Sequence, residues 1–411
     1  MQALSGLSTQ VKQYLIITGN YWAFTLTDGA LRMLVVLHFY QLGYSPLSIA
    51  MLFLFYEIFG VVTNLVGGWL GARLGLNKTM NIGLGLQIAA LAMLLVPSEM
   101  LTVAYVMAAQ ALSGIAKDLN KMSAKSSIKL LVPADESSQL YKWVAILTGS
   151  KNTLKGVGFF LGGLLLTLLG FTGAIAVMAA MLTLVWLFSL IKLKQDLGKA
   201  KNKPKFKEIF SKSRAINLLS AARLFLFAAR DVWFVVALPV FLAMEFGWQH
   251  SWVGGFMAAW IILYGFIQTI APKLTAKASR AVPNGLDAAK WGALLAFVPA
   301  TLAIALANDV AAFWVIIVGL MVFAVLFAIN SSLHSFLIVE MAGKDGVSLD
   351  VGFYYMANAC GRLLGTVLSG WMFQVYGLVA CLVVSAVFIA LAVIFAAMIP
   401  TGNKLTHEQT N

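Results

Sequence analysis

The sequence predicts an all-α membrane protein with twelve transmembrane helices in two six-helix bundles, and three observations carry that prediction. First, 61% of the 411 residues are hydrophobic and 11% are charged, whereas a soluble domain is about 45–50% apolar and about 25% charged. Second, the apolar residues gather in runs long enough to cross a bilayer, which takes about 20 residues each. Third, Lys and Arg collect in alternate loops, as they do when loops fall in turn on the two faces of a membrane.

The apolar runs, bounded by turn residues, fall at 14–41, 47–72, 79–97, 101–131, 140–169, 173–193, 215–245, 251–274, 290–307, 310–341, 349–376 and 378–400. Six runs are followed by a break and then by six more. The break, from Lys192 to Arg214, is polar, strongly basic and the longest gap. It reads as a linker over 193–214 that joins an N-terminal bundle, 1–192, to a C-terminal bundle, 215–411. No stretch is left that would hold a large soluble domain. The first run carries Asp28 and Arg32 at its middle, which the apolar region of a cleavable signal would not. It is expected to be retained as span one.

The basic loops hold Arg73 and Lys78, then the linker, then Lys273, Lys277, Arg280 and Lys290, and finally Lys344. The intervening loops, around Gly43, Ser98, Phe171, Trp248, Asn308 and Tyr376, contain neither Lys nor Arg. This positive-inside asymmetry predicts that both termini are cytoplasmic. It also accounts for much of the net charge of +13, so a lipid bilayer and not nucleic acid is the expected partner. Cys360 and Cys381 both lie inside apolar runs, which supports neither a disulfide framework nor a metal site.

A shift of 204 residues superposes Gly43 on Gly247, Asn64 on Gln268, Leu70 on Leu274 and Arg73 on Lys277, and a one-residue slip brings Asp28 onto Asp231. Further along, a shift of 207 superposes Lys155 on Arg362, Gly158 on Gly365, Gly163 on Gly370 and Gly170 on Gly377. The two stretches agree to within a few residues, which points to an internal repeat of six spans.

Charged residues near the middle of the runs mark the candidate site. Asp28 and Arg32 lie mid-span in one, Glu57 in two, Lys117 and Asp118 in four, Lys155 in five, Arg230 and Asp231 in seven, and Arg362 in eleven. Facing lipid, each would cost about 2.5–3.5 kcal/mol, so together they are expected to face one another or a wet cavity between the halves. Cations outnumber acids among them, and Lys121, Lys125, Lys129, Lys151 and Arg223 extend the surplus. Lys117, Lys121, Lys125 and Lys129 recur every four residues and so share one face of span four. That ladder repels itself unless water or an anion lies alongside.

An Arg fork donates two parallel hydrogen bonds to an oxyanion, and Lys offers a mobile point charge. Arg32 and Arg230, from equivalent spans, are therefore candidates to clamp one anionic end, and Lys155 and Arg362 to hold the other. Lys117 and Lys121 join them, with Asn330, His334, Tyr354, Tyr355 and Asn358 as hydrogen-bonding candidates; Ser331 and Ser332 adjoin Asn330. Asp28, Glu57, Asp118 and Asp231 are candidates for proton coupling or ion pairing. A purely structural reading stands beside this one: Asp28 and Arg32 sit four apart and are spaced to pair, and Lys117 or Lys121 is spaced to satisfy Asp118.

After span two comes GGWLGARLGLNK, 67–78, in which Gly68, Leu70, Arg73, Gly75 and Lys78 resemble the signature of the major facilitator superfamily, with Ala72 in place of its usual Asp. Parallel six-span repeats are expected of that fold. At a finer level the chain resembles the ArsJ-type organoarsenical efflux permeases across nearly its whole length, on NYWAFTLTDGALRMLVVLHFYQLGY (20–44), KDLNKMSAKSSIKLL (117–131) and ARLFLFAARDVWFVVALPVF (222–241).

The resemblance implies export of 1-arseno-3-phosphoglycerate by alternating access, and hence arsenate resistance. It also implies a functional link to the glyceraldehyde-3-phosphate dehydrogenase that makes this ester from arsenate, and a place in a bacterial inner membrane. No cofactor and a monomeric state are expected. An organophosphate exchanger or a proton-coupled drug exporter of the same fold is the alternative. An integral membrane enzyme is disfavoured, because His38, His250, His334 and His407 are scattered in depth and neither H-E-x-x-H nor G-x-S-x-G occurs. No phosphate-cradling G-x-x-x-x-G-K-[ST] loop is present for direct use of ATP.

Overall fold

A computed structural model describes residues 8–43, 52–133, 136–193, 197–200, 213–248, 250–275, 282–310, 312–343 and 346–400. Most of the basic linker, together with Lys277, Arg280, Lys344 and His407, lies outside the described residues. A bilayer offers no water to backbone amides, so each apolar run satisfies its N–H and C=O groups internally as a helix.

Spans one to four are Thr9–Gln41, Leu54–Leu74, Leu76–Met93 and Val103–Leu131. The next helix, Ser137–Lys192, has 56 residues and runs about 84 Å at 1.5 Å per residue, far beyond the roughly 30 Å of one crossing. It breaks at Gly170, with φ 67° and ψ 179°, into spans five and six. Span seven is Arg214–Phe234 continued by Ala237–Glu245, and spans eight to ten are His250–Leu274, Gly285–Ala307 and Ala312–Met341. The last helix, Val347–Ala397, breaks at Gly377, with φ 75° and ψ −174°, into spans eleven and twelve. The fold is that of an all-α membrane protein of twelve spans.

Glycines matched by the repeat share a conformation. Gly170 and Gly377 adopt nearly the same backbone angles at equivalent breaks, and Gly43 and Gly247 both take positive φ, 84° and 63°, which glycine tolerates and other residues rarely do.

Among the boundaries that differ from the sequence expectation, three have an evident local reason. Span three ends at Met93 and not at 97, because the residue before Pro97 is disfavoured in the helical region. Span nine begins at Gly285, five residues early, because Asn284 forms a capping box. Its side chain accepts from Leu286 and Asp287 N–H, while Asp287 accepts from Asn284 N–H. Span seven is interrupted after Phe234, three residues before its continuation at Ala237. Pro239 cannot donate and its ring crowds the carbonyl four residues back, and Ser369 Oγ accepts from the displaced Val236 and Ala237 N–H groups at 3.3 and 3.1 Å.

The chain divides into two compact units. The first comprises Met1–Leu140, Thr153–Phe210 and Ala342–Met356; the second comprises Tyr141–Asn152, Ser211–Met341 and Ala357–Asn411. In the first, span five lies against span one with no room for side chains: a Cβ at Gly158 would come within 2.8 Å of Leu26 O. The start of span eleven lies equally close to span two, where Ser348 Oγ donates to Gly68 O at 2.7 Å. In the second unit Gly365 packs span eleven on span seven, its Cβ position 2.7 Å from Ala228 O. Close backbone approach through small residues is how helices associate in lipid, where burial of apolar surface supplies no driving force.

Aromatic rings fill the second unit's interior. Trp233 stacks edge-on against Trp260 and Phe323, and Trp260 Nε1 donates to Leu320 O at 2.9 Å. Outward-facing residues are apolar as well: Phe297 is 68% exposed and Trp314 66%. Such surface would aggregate in water and suits a bilayer.

Candidate functional site

Each unit carries a charged cluster at mid-span. In the first unit, Tyr56 and Glu57 on span two approach Asp28 and Arg32 on span one. Tyr56 hydroxyl donates to Asp28 Oδ1 at 2.7 Å, and Arg32 Nη2 lies 3.3 Å from Glu57 Oε1. The expected Asp28–Arg32 pair is therefore replaced. The short Asp takes the tyrosine hydroxyl, and the longer Glu reaches the guanidinium.

The Tyr56 ring holds two cations, with Lys117 Nζ 3.7 Å and Arg32 Cζ 5.0 Å from its centroid. Attraction of a cation to the ring face is worth about 0.5–2 kcal/mol, more when water is excluded, so one side chain helps bring two like charges together. Gly114 lets span four approach at this level, since a Cβ there would come within 2.7 Å of Tyr56 O.

Along span four, Asp118 is shared by two lysines. Lys121 Nζ is 2.6 Å from Oδ1 and Lys117 Nζ 3.9 Å from Oδ2. Lys121 and Lys125 then approach the Tyr355 ring, at 4.7 and 5.6 Å, and Tyr354 meets Tyr355 edge-on. The backbone of Lys155 packs at Gly29, next to Asp28, and its Nζ is 5.8 Å from the Phe159 centroid.

In the second unit one carboxylate again serves two cations. Asp231 accepts from Arg230 Nε at 2.5 Å and from Arg362 Nε at 3.4 Å, and Arg230 Nη2 also pairs with it. Rings of Phe227, Phe327 and Phe234 surround the Arg230 guanidinium at 4.8, 5.5 and 5.8 Å. One turn and more away, buried Arg223 lies over Phe227 and donates to Asn358 Oδ1 at 2.9 Å and to Ser331 O and Oγ at 3.1 and 3.0 Å. Ser331 continues to Tyr264 and Gln268, and Gln268 accepts from Asn152 at 2.5 Å.

Both shared carboxylates are sealed while their cations are not. Asp118 and Asp231 are 1% accessible, whereas the side chains of Lys117, Lys121, Arg230 and Arg362 are 14–31% accessible. Positive groups thus form the reachable surface and negative groups the support behind it. At mid-span that surface is tolerable only where water or solute, and not lipid, touches it.

The remaining sequence candidates divide. Asn358 belongs to the Arg223 network. Asn330 Nδ2 is committed to Ala288 O at 2.7 Å, tying span ten to span nine, so its amide nitrogen acts as a helix tie. His334 is buried, and its Nδ1 has no hydrogen-bond partner among the described residues. Sequence reasoning did not single out Tyr56, Tyr264 or Gln268. Tyr56 was readable as half of a polar pair, Tyr-Glu, in an otherwise apolar run, and Tyr264 and Gln268 as polar residues four apart on one face of span eight.

Comparison with known proteins fixes the family. No curated protein sequence matches the chain. Among solved structures, the E. coli fucose:proton symporter FucP is similar at 13% identity with a TM-score of 0.73, covering 96% of this chain and 100% of that one. The proton:xylose symporter XylE aligns at 14% identity and a TM-score of 0.72, over 95% and 97%. The human organic anion transporter MFSD10 (TETRAN) aligns at 15% identity and a TM-score of 0.73, over 95% and 100%. Residues 15–308, more than half of the chain, match the Major Facilitator Superfamily. The chain belongs to that superfamily and is a multi-pass membrane transporter of small solutes.

Proposed function

We propose that this transporter exports a small organic solute bearing more than one negative charge, with 1-arseno-3-phosphoglycerate as the solute, and so confers arsenate resistance. The observation that carries the reading is the pair of shared carboxylates: Asp118 serves Lys117 and Lys121, and Asp231 serves Arg230 and Arg362. Each group presents two cations on the accessible side of one sealed carboxylate, a setting that suits an incoming phosphate, arsenate or carboxylate. Arg32, Lys117, Lys121, Lys155, Arg230 and Arg362 are the proposed solute contacts, with Tyr354, Tyr355 and Asn358 beside them. Asp28, Glu57, Asp118 and Asp231 hold the cations in place while the site is empty.

The particular ester comes from the resemblance to the ArsJ-type permeases. Of the cargoes named for proteins of similar fold, an organic anion suits this charge surplus better than a neutral sugar. The loop charge pattern supports an inner-membrane position with both termini cytoplasmic, and an inside-negative potential favours anion exit by about 2.3 kcal/mol per charge per 100 mV. An organophosphate exchanger is the second reading, because the same cations would serve it.

Survival on arsenate tests the proposal. Cells carrying the chain together with an arsenate-using glyceraldehyde-3-phosphate dehydrogenase are expected to outgrow cells carrying either alone. Arg362→Gln is expected to remove the gain at unchanged membrane abundance. No gain with both proteins present excludes the organoarsenical, and uptake of glycerol phosphates by vesicles would favour the exchanger.

A further inference from the structure

Away from the charged clusters, spans one and six enclose a cavity of about 730 Å³ lined by Lys12, Leu15, Ile16, Gly19 and Asn20 on one wall and Leu184, Val185, Phe188 and Lys192 on the other. We propose that it holds one anionic diacyl phospholipid, with the headgroup phosphate at Lys12 and Lys192 and an acyl chain along the apolar walls.

Lys12 stands eight residues before Asn20 and Lys192 three residues after Ser189, which Asn20 contacts, so both lysines lie on the same side of that contact, about 12 and 4.5 Å from it along their helices. Span one begins where span six ends, which puts both ammonium groups at the same mouth. Between mouth and floor the walls are apolar and one turn apart in sequence, at Leu15, Ile16 and Gly19, and at Leu184 and Phe188.

Gly19 faces open space, since a Cβ there would meet nothing within 4 Å. The polar side chain of Asn20 and its neighbours behind the wall are already engaged with one another. Asn20 Nδ2 donates to Ser189 Oγ at 2.8 Å, Ser189 Oγ to Asn81 Oδ1 at 2.6 Å, and Trp186 Nε1 to Asn81 O at 2.9 Å. A hydrocarbon chain therefore enters without stranding these donors.

Charge and shape together select the occupant. The volume lies within the usual range for small-molecule sites, about 300–1,000 Å³. Apolar walls give free phosphate nothing to hold, and paired cations favour an anionic headgroup over a zwitterionic one. Exposed Leu15, Leu184 and Phe188 leave the cavity open sideways, as entry from the bilayer requires.

The test uses the purified full-length chain in uncharged detergent, with lipid retention read by native mass spectrometry and unfolding temperature read in parallel. Phosphatidylglycerol is expected to remain as a single adduct and to stabilise the protein, while phosphatidylcholine of the same chain length is not. Lys12→Gln with Lys192→Gln is expected to weaken retention roughly 30-fold, about fivefold per lysine. Gly19→Leu should displace the lipid with both lysines in place, and Lys273→Gln with Lys290→Gln should leave it bound. Equal retention of phosphatidylcholine, undiminished retention in both site variants, or equal stabilisation by inorganic phosphate alone would each overturn the proposal.

Discussion

Replacing Asp231 by Asn removes the sealed carboxylate that Arg230 and Arg362 share. At the 3.4 Å separation of Arg362 Nε and Asp231 Oδ2, the lost attraction is about 5 kcal/mol at an effective dielectric of 20. Measured losses from breaking a buried pair on one side are about 3–5 kcal/mol. The asparagine keeps the shape but leaves two guanidinium groups facing each other. Asp231→Asn is therefore expected to lower the unfolding temperature of the purified protein and its abundance in membranes. Removing one of the two cations should relieve the repulsion, so Asp231→Asn combined with Arg362→Gln is expected to recover more than half of the lost unfolding temperature without recovering export. Millimolar phosphate should stabilise Asp231→Asn more than the parent chain, because the added anion takes the place of the carboxylate. Asp231→Asn unfolding at the parent temperature would refute the shared-carboxylate account.

Two further outcomes follow from the packing. Gly158→Leu and Gly365→Leu place a side chain 2.8 and 2.7 Å from a neighbouring backbone carbonyl and are expected to abolish membrane abundance, whereas Gly370→Leu, with nothing within 4 Å, should be tolerated; fluorescence-detected size-exclusion chromatography of tagged protein checks both. Tyr56→Phe keeps the ring beneath Lys117 and Arg32 but loses the hydrogen bond to Asp28, at a cost of about 1–3 kcal/mol, while Tyr56→Leu loses the ring as well. Weaker binding of 3-phosphoglycerate by Tyr56→Leu than by Tyr56→Phe, read by calorimetry, is expected; equal affinities would remove the ring from the account.

Much of the fold was legible because a bilayer imposes one demand on every span. Apolar runs of sufficient length become helices whatever their neighbours do, so spans one and ten were legible at 14–41 and 310–341, against the observed Thr9–Gln41 and Ala312–Met341. The repeat was legible at glycines, since positive φ restricts the residue type, and Gly170 and Gly377 share both sequence position and backbone angles. Boundaries were less so. The start at Asn284 and the interruption of span seven depend on a single cap and a single proline, which hydropathy averaged over a window does not register.

Mid-span charge was likewise visible in the sequence, because charged side chains are too costly in lipid to sit there without a reason. What the sequence by itself determined was the identity of those residues and their cationic excess. Their partners were decided only by tertiary structure. Spacing alone paired Asp28 with Arg32, yet span two brings Tyr56 and Glu57 close enough to take both, and Arg362 meets Asp231 across 131 residues of chain. Helical spacing reports neighbours within one span, whereas pairing energy depends on distances of a few ångströms between different spans, and those are set by where small residues let the backbones approach.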